Sequence, residues 1–254
     1  MLLAIDIGNT HVVLGLYRDQ DLLGHWRMQS DAKRTEDEYA MQVLNLLGRF
    51  GHAPEAIDTV IISCVVPALG GVFDRLAQKY FSVRPLVVGP GLKTRMEIAF
   101  DDPRAVGADR VVNAVAAREL YGAPVLVVDF GTATTFDVIN SSGVYEGGVI
   151  APGVMIAAQA LFEKAALLPN IELGRPSRVI GKNTRESMLS GVFLGYVCLV
   201  DGLIERIRSE LGYSAKVVAT GGLAKSVAQE SKYIEEVAPE LTLTGLQLIA
   251  SFNG

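Results

Sequence analysis

Cysteine, aromatic side chains and charge are all scarce in this chain. Its 254 residues include two cysteines, one tryptophan and only 20% charged residues. Cys64 and Cys198 lie in apolar runs with no Cys-x-x-Cys spacing and no histidine nearby. That argues against a disulfide framework or a thiolate metal site, and both read as small core residues in a reducing compartment. No basic segment leads the chain, and Asp6 interrupts its apolar start before a signal-peptide core could form. The apolar run Gly191–Val200 stops at Asp201, well short of the roughly 20 residues that span a bilayer. A net charge of −5 disfavours non-specific binding to nucleic acid or an anionic membrane. There is no Gly-x-x-x-x-Gly-Lys-Ser/Thr loop. The expectations are a cytoplasmic protein with neither a nucleic-acid nor a membrane partner.

Apolar residues are plentiful: half the chain is hydrophobic and mean hydropathy is +0.31. That suits a compact α/β protein of one large or two modest domains. Leu2 to Ile7 predicts a buried strand, Gly8-Asn9-Thr10 a turn, and His11 to Tyr17 a second strand, with a third over Leu22 to Met28. Thr35-Glu36-Asp37-Glu38 is a capping box for a helix through Met41, Leu44 and Leu47. A strand over Asp58 to Val66 ends at Pro67, where Leu69, Val72, Phe73, Leu76 and Tyr80 recur at helical spacing, and Leu86 to Val88 is a short strand.

The sequence then turns on Asp109-Arg110, at the head of the apolar run Val111 to Ala117. A loop with Gly107 leading into a helix aims free N–H groups and partial positive charge at whatever lies in front. The Asp can take a proton, and the Arg offers a planar fork of donors for a carboxylate or phosphate. A capped helix carrying a structural Asp–Arg pair is the alternative.

Past Tyr121-Gly122 the pattern restarts. Val125 to Val128 predicts a buried strand ended by Asp129, followed by a hydroxyl-lined turn and a strand over Phe136 to Ile139. Asp6-Ile7-Gly8-Asn9-Thr10 and Asp129-Phe130-Gly131-Thr132-Ala133 are both strand, Asp-x-Gly, polar turn, strand: a degenerate duplication. A carboxylate ending an apolar strand is expensive to bury unless paired, so Asp6 is either bonded to its own turn or facing a ligand. Two such turns could offer N–H groups and hydroxyls to a polyphosphate, with the carboxylates free for cations or water; an ordinary hairpin is the alternative for the second.

Further strands and helices are expected over Val144 to Ile150, Val154 to Leu168, and Thr184 to Leu211, the last with Met188, Gly191, Val192, Gly195, Leu199 and Leu203 on its packed face. Gly191 and Gly195 would permit close helix contact, internal or across a subunit boundary. Lys216 to Ala219 ends at Thr220-Gly221-Gly222, a turn into a helix at Leu223 that could let a flat ligand lie against the backbone or serve only as a tight turn. The expected division is 1–114 and 115–254.

The ordered set Asp6-Ile7-Gly8-Asn9-Thr10, Gly107-Ala108-Asp109-Arg110, Asp129 to Thr135, Gly147-Gly148 with Pro152-Gly153, Gly181 to Thr184 and Thr220-Gly221-Gly222 resembles the acetate and sugar kinase/Hsp70/actin superfamily, and more closely the type III pantothenate kinases, over essentially the whole chain. The resemblance implies an α/β fold of two ribonuclease-H-like domains with mixed sheets flanked by helices, as in actin-like ATPases. It further implies ATP-dependent phosphorylation of pantothenate to 4'-phosphopantothenate, the first step of coenzyme A biosynthesis, in a homodimer using Mg2+ and a monovalent cation, K+ or NH4+. By matching position, Asp6, Ile7, Gly8, Asn9, Thr10, His11, Val12 and Val13, with Thr132, would bind ATP, and Asp129 would ligate the monovalent cation. Phe100, Gly107, Ala108, Asp109, Arg110 and Thr184 would hold pantothenate, with Asp109 the proton acceptor. Phe100 stands where the family commonly has Tyr; the ring contact survives, and a hydroxyl worth about 0.5–1.5 kcal/mol when bonded is lost.

Overall fold

The computed structural model describes residues 1–165 and 168–254. In chain order its strands are β1 (Leu2–Ile7), β2 (His11–Arg18), β3 (Asp21–Gln29), β4 (Thr59–Cys64), β5 (Leu86–Val87), β6 (Val125–Phe130), β7 (Ala133–Ile139), β8 (Tyr145–Pro152), β9 (Lys216–Gly221) and β10 (Glu236–Val237). The helices are α1 (Glu36–Arg49), α2 (Pro67–Phe81), α3 (Ala108–Tyr121), α4 (Val154–Lys164), α5 (Thr184–Leu211), α6 (Ala224–Ala228) and α7 (Leu241–Ser251). They form two compact units, Met1–Glu119 with Glu240–Gly254, and Leu120–Pro239. The sequence division at 114/115 groups α7 with the second half of the chain, whereas α7 packs in the first unit.

Each unit is built on a five-stranded sheet, ordered β3-β2-β1-β4-β5 in the first and β8-β7-β6-β9-β10 in the second. In both, a hairpin and a third strand pair antiparallel, and two later strands add parallel to the first. The duplication suspected from two Asp-x-Gly turns thus extends over whole sheets. The turns differ by one residue. Asp6 pairs with Val13 and Ile7 with Val12 around the first, while Asp129 pairs with Thr135 and Phe130 with Thr134 around the second.

In the first unit, strand alternation sends Leu3, Ile5, Ile7, Val60 and Ile62 to one face, where they form a core with Tyr39 and Val43 of α1 and Phe73 and Leu76 of α2. The other face carries Ala4, Asp6, Gly15 and Ser63. It is met by α7, whose Leu243 lies 3.1 Å from where a Cβ on Gly15 would stand. Local chemistry sets the helix starts. The Thr35 hydroxyl accepts the Glu38 N–H and the Glu38 carboxylate accepts the Thr35 N–H, completing the expected box. On α1, Tyr39, Ala40, Val43 and Leu47 face inward, and Met41 is exposed.

In the second unit, Leu126, Val128, Phe130, Phe136 and Val138 pack against α5 and α6. Asp129 lies inside β6 rather than ending it. α4 ends at Lys164; of the remainder of the helix expected to Leu168, residues 166–167 lie outside the described residues. α5 has the expected bounds, capped by the Asn183 side chain on the Glu186 N–H and closed by Gly212 at φ 72°. Its inward face, however, is Met188, Ser190, Phe193, Tyr196, Val197, Val200 and Ile204, while Gly191, Gly195 and Leu199 are exposed. A helix with two apolar stripes does not declare which one is buried. Cys198 is likewise exposed, so it is not the core residue expected, while Cys64 is half-buried and packs against the core of the first unit. Among the described residues α5 is long and apolar enough to cross a membrane on length and composition alone; the Phe193–Val200 side of it belongs to the core of this unit.

Candidate active site

Asp6 to Val13, Phe100 and Gly107 to Arg110 lie in the first unit; Asp129, Thr132 and Thr184 lie in the second. In the first unit the turn after β1 is closed by the Gly8 N–H on the His11 carbonyl, 3.0 Å. Ser30, just past β3, braces it twice: its hydroxyl donates to the Gly8 carbonyl and its N–H to the Thr10 carbonyl. Asn9, Thr10 and His11 are exposed, whereas the Ile7 and Val12 side chains are wholly buried. Of those two, only the backbone can serve a ligand. Gly8 is tight, since a Cβ there would stand 3.2 Å from the His11 carbonyl oxygen. Burial and the charge of Arg27 lower the His11 pKa.

Beside this turn stand the carboxyl ends of the parallel strands β1 and β4, the usual place for ligands in α/β sheets. The Val65 N–H donates to the Ile7 carbonyl, and Val65 Cγ1 lies 3.7 Å from where a Gly107 Cβ would be. Asp109 Oδ1 would be 2.6 Å from that same Cβ. Gly107 is therefore required for the Asp109 carboxylate to fold back over the helix start. There Oδ1 accepts the Arg110 N–H at 2.8 Å. Burial raises the Asp109 pKa above the ordinary carboxylate range, against the opposing pull of the Arg110 N–H and charge. Phe100 is exposed in the loop between β5 and α3.

In the second unit Asp129 sits between Thr135 of β7 and Thr220 of β9. Gly221, at φ 90°, lets the next strand approach: a Cβ would stand 2.6 Å from Asp129 Oδ1 and 2.7 Å from the Phe130 backbone. The Gly131 N–H closes the turn on the Ala133 carbonyl, and the Gly153 N–H donates to the Thr132 carbonyl at 3.2 Å. A side chain on Gly153 would overlap that carbonyl. Thr184 opens α5, apart from this turn, in a groove with Leu161, Ser187, Met188 and Gly191. Among the described residues no three His, Cys, Asp or Glu side chains gather as a metal cage.

The residues that sequence reasoning missed here are Ser30, Ser63 and Val65. Their contacts depend on strand register, and no local motif marks them.

Paired sheets of this order, each with an Asp-x-Gly hairpin at its centre, define the sugar kinase and actin-like ATPase class. A ROK hexokinase of Thermus thermophilus shares the fold (TM-score 0.52, 14% identity, covering 99% of this chain and 98% of that one). So does a Campylobacter jejuni protein described as a Baf family transcriptional activator (TM-score 0.64, 18% identity, covering 99% and 98%). The type III pantothenate kinase family profile matches residues 2–206. A type III pantothenate kinase of Halalkalibacterium halodurans is 51% identical over 253 residues, all of both chains. The chain belongs to the type III pantothenate kinase family.

Proposed function

We propose that this chain carries out the reaction of its family, ATP-dependent phosphorylation of pantothenate to 4'-phosphopantothenate in coenzyme A biosynthesis. The observation that carries the mechanism is Asp109, a half-buried carboxylate of raised pKa held at a helix start beside Arg110. Phosphoryl transfer needs alignment and charge neutralisation more than covalent chemistry. The backbone of Asp6 to Val13, with Thr132, binds the ATP phosphates. Asp6 and the phosphates would hold Mg2+, which would supply charge neutralisation, and Asp129 would hold the monovalent cation, K+ or NH4+. Arg110 grips the pantothenate carboxylate, with Phe100, Gly107, Ala108 and Thr184 completing that subsite. Asp109 accepts the proton of the primary hydroxyl as it attacks, and a pKa lifted toward working pH suits a general base.

The working form is a homodimer in the cytoplasm. Supporting the dimer, Ile150, Met155, Ile156, Val179, Ile180 and Leu199 of the second unit are exposed large apolar side chains. Ile180→Asp is expected to dissociate the dimer in sedimentation; wild type sedimenting as a monomer defeats the assignment. The activity itself is tested by ADP release from ATP and Mg2+, with and without pantothenate, in potassium against sodium buffer. Turnover that depends on pantothenate and potassium supports the reading, and turnover with another acceptor alone rejects it.

A further inference from the structure

Ser63 is the one polar side chain of β4 that the sheet buries completely, and among the described residues its hydroxyl has no hydrogen-bond partner. An unpaired buried hydroxyl is a standing cost that alanine at the same place would remove. Its location is specific. Ser63 is the register partner of Asp6 across the parallel β1–β4 pair. Lateral partners in a sheet project to the same face, from backbones about 4.8 Å apart, so the hydroxyl is within reach of the Asp6 carboxylate through one side-chain rotation. The neighbouring Cys64 thiol is engaged elsewhere, donating to the Val66 carbonyl at 3.2 Å. In the second sheet the matching position beside Asp129 is Thr220, again a hydroxyl and again buried. Two sheets that share little sequence keep the same chemistry beside the same aspartate.

We infer that Ser63 is a positioning residue, whose hydroxyl donates to the Asp6 carboxylate and holds it in the orientation that receives the cation-bound phosphates of ATP. The inference rests on the assignment of the Asp6 turn to ATP. Ser63 is too buried to touch the nucleotide and acts through Asp6. Asp6, holding cation and phosphate, would take its donor from Ser63.

The test is MgADP binding by titration calorimetry, with thermal melting of the ligand-free proteins, for wild type, Ser63→Ala, Ser63→Thr and Asp6→Asn. Ser63→Ala is expected to melt at or above the wild-type temperature yet bind MgADP roughly tenfold more weakly, the scale of a hydrogen bond to a charged group. Ser63→Thr, which restores the hydroxyl found at position 220, is expected to recover most of the affinity. Wild-type affinity in Ser63→Ala with weakened binding in Asp6→Asn overturns the role of Ser63 alone. A fall in melting temperature of Ser63→Ala that accompanies the lost affinity also overturns it, because a structural hydroxyl would do that. Wild-type affinity in both Ser63→Ala and Asp6→Asn removes the Asp6 turn from the nucleotide site, and the inference with it.

Discussion

Gly221→Ala is the perturbation whose outcome the structure constrains most tightly. The residue has φ 90°, where a side chain costs about 1–2 kcal/mol. Its Cβ would lie 2.7 Å from the backbone N and C of Phe130. Asp129 Oδ1, at 2.6 Å, could rotate aside, but the Phe130 backbone belongs to a paired strand and can yield only by shifting β6. Overpacking of that kind costs about 1–3 kcal/mol, giving a combined loss of about 2–5 kcal/mol, or roughly 5–15 °C in Tm for a chain of this size. Gly222→Ala is the internal control, since a Cβ there meets nothing within 4 Å and no positive φ is involved; it should stay within about 0.5 kcal/mol. Denaturant melts of both proteins, with turnover measured across a potassium titration, provide the assay. Because the added methyl displaces Asp129 Oδ1, Gly221→Ala should also require more potassium for half-maximal activity. Equal stability and equal potassium response in the two variants would refute the close approach of β9 to Asp129.

Asp109→Asn should lower kcat by about 10²–10⁴ while nucleotide and pantothenate still bind in calorimetry; binding lost with turnover kept would reassign the residue. The same variant has a stability signature. Burial raises the Asp109 pKa, so its contribution to stability is full below the unfolded value of about 3.9 and is lost as pH rises through the folded pKa. Asn does not ionise, and the variant should gain on wild type in melts from pH 4 to pH 8; a variant that loses ground to wild type as pH rises would contradict the cost of burying that charge. Arg110→Ala should raise the pantothenate KM with kcat little changed, and an unchanged KM removes Arg110 from the carboxylate. Tyr145 donates to the fully buried Asp137 at 2.7 Å, so Tyr145→Phe should cost about 1.5–3 kcal/mol in urea unfolding; a neutral result would show that other donors satisfy that carboxylate.

What was legible in the sequence was what local chemistry sets. The hairpin strands, the Thr35 capping box and both ends of α5 follow from alternation, caps and glycine, and the structure has them where those signals stand. The two Asp-x-Gly turns were visible for the same reason. The buried side of α5 was not, because Gly191, Gly195 and Leu199 form a stripe as regular as that of Phe193, Tyr196 and Val200. Ser30 and Ser63 were silent because their meaning lies in what register places opposite them. Asp109 was legible as a candidate base, but the need for Gly107 emerged only from the 2.6 Å approach of its carboxylate.

The return of α7 to the first sheet has a consequence for synthesis. The face carrying Ala4, Gly15 and Ser63 is met by Leu243, and Gly245 brings α7 so close to α3 that a side chain there would overlap the Val112 carbonyl. Residues 120–239, the whole second unit, must be translated before that helix emerges. At about 5–20 residues per second, the first sheet waits roughly 6–24 s on the ribosome with one face uncovered. Until α7 is made, the first sheet lacks the helix that closes that face.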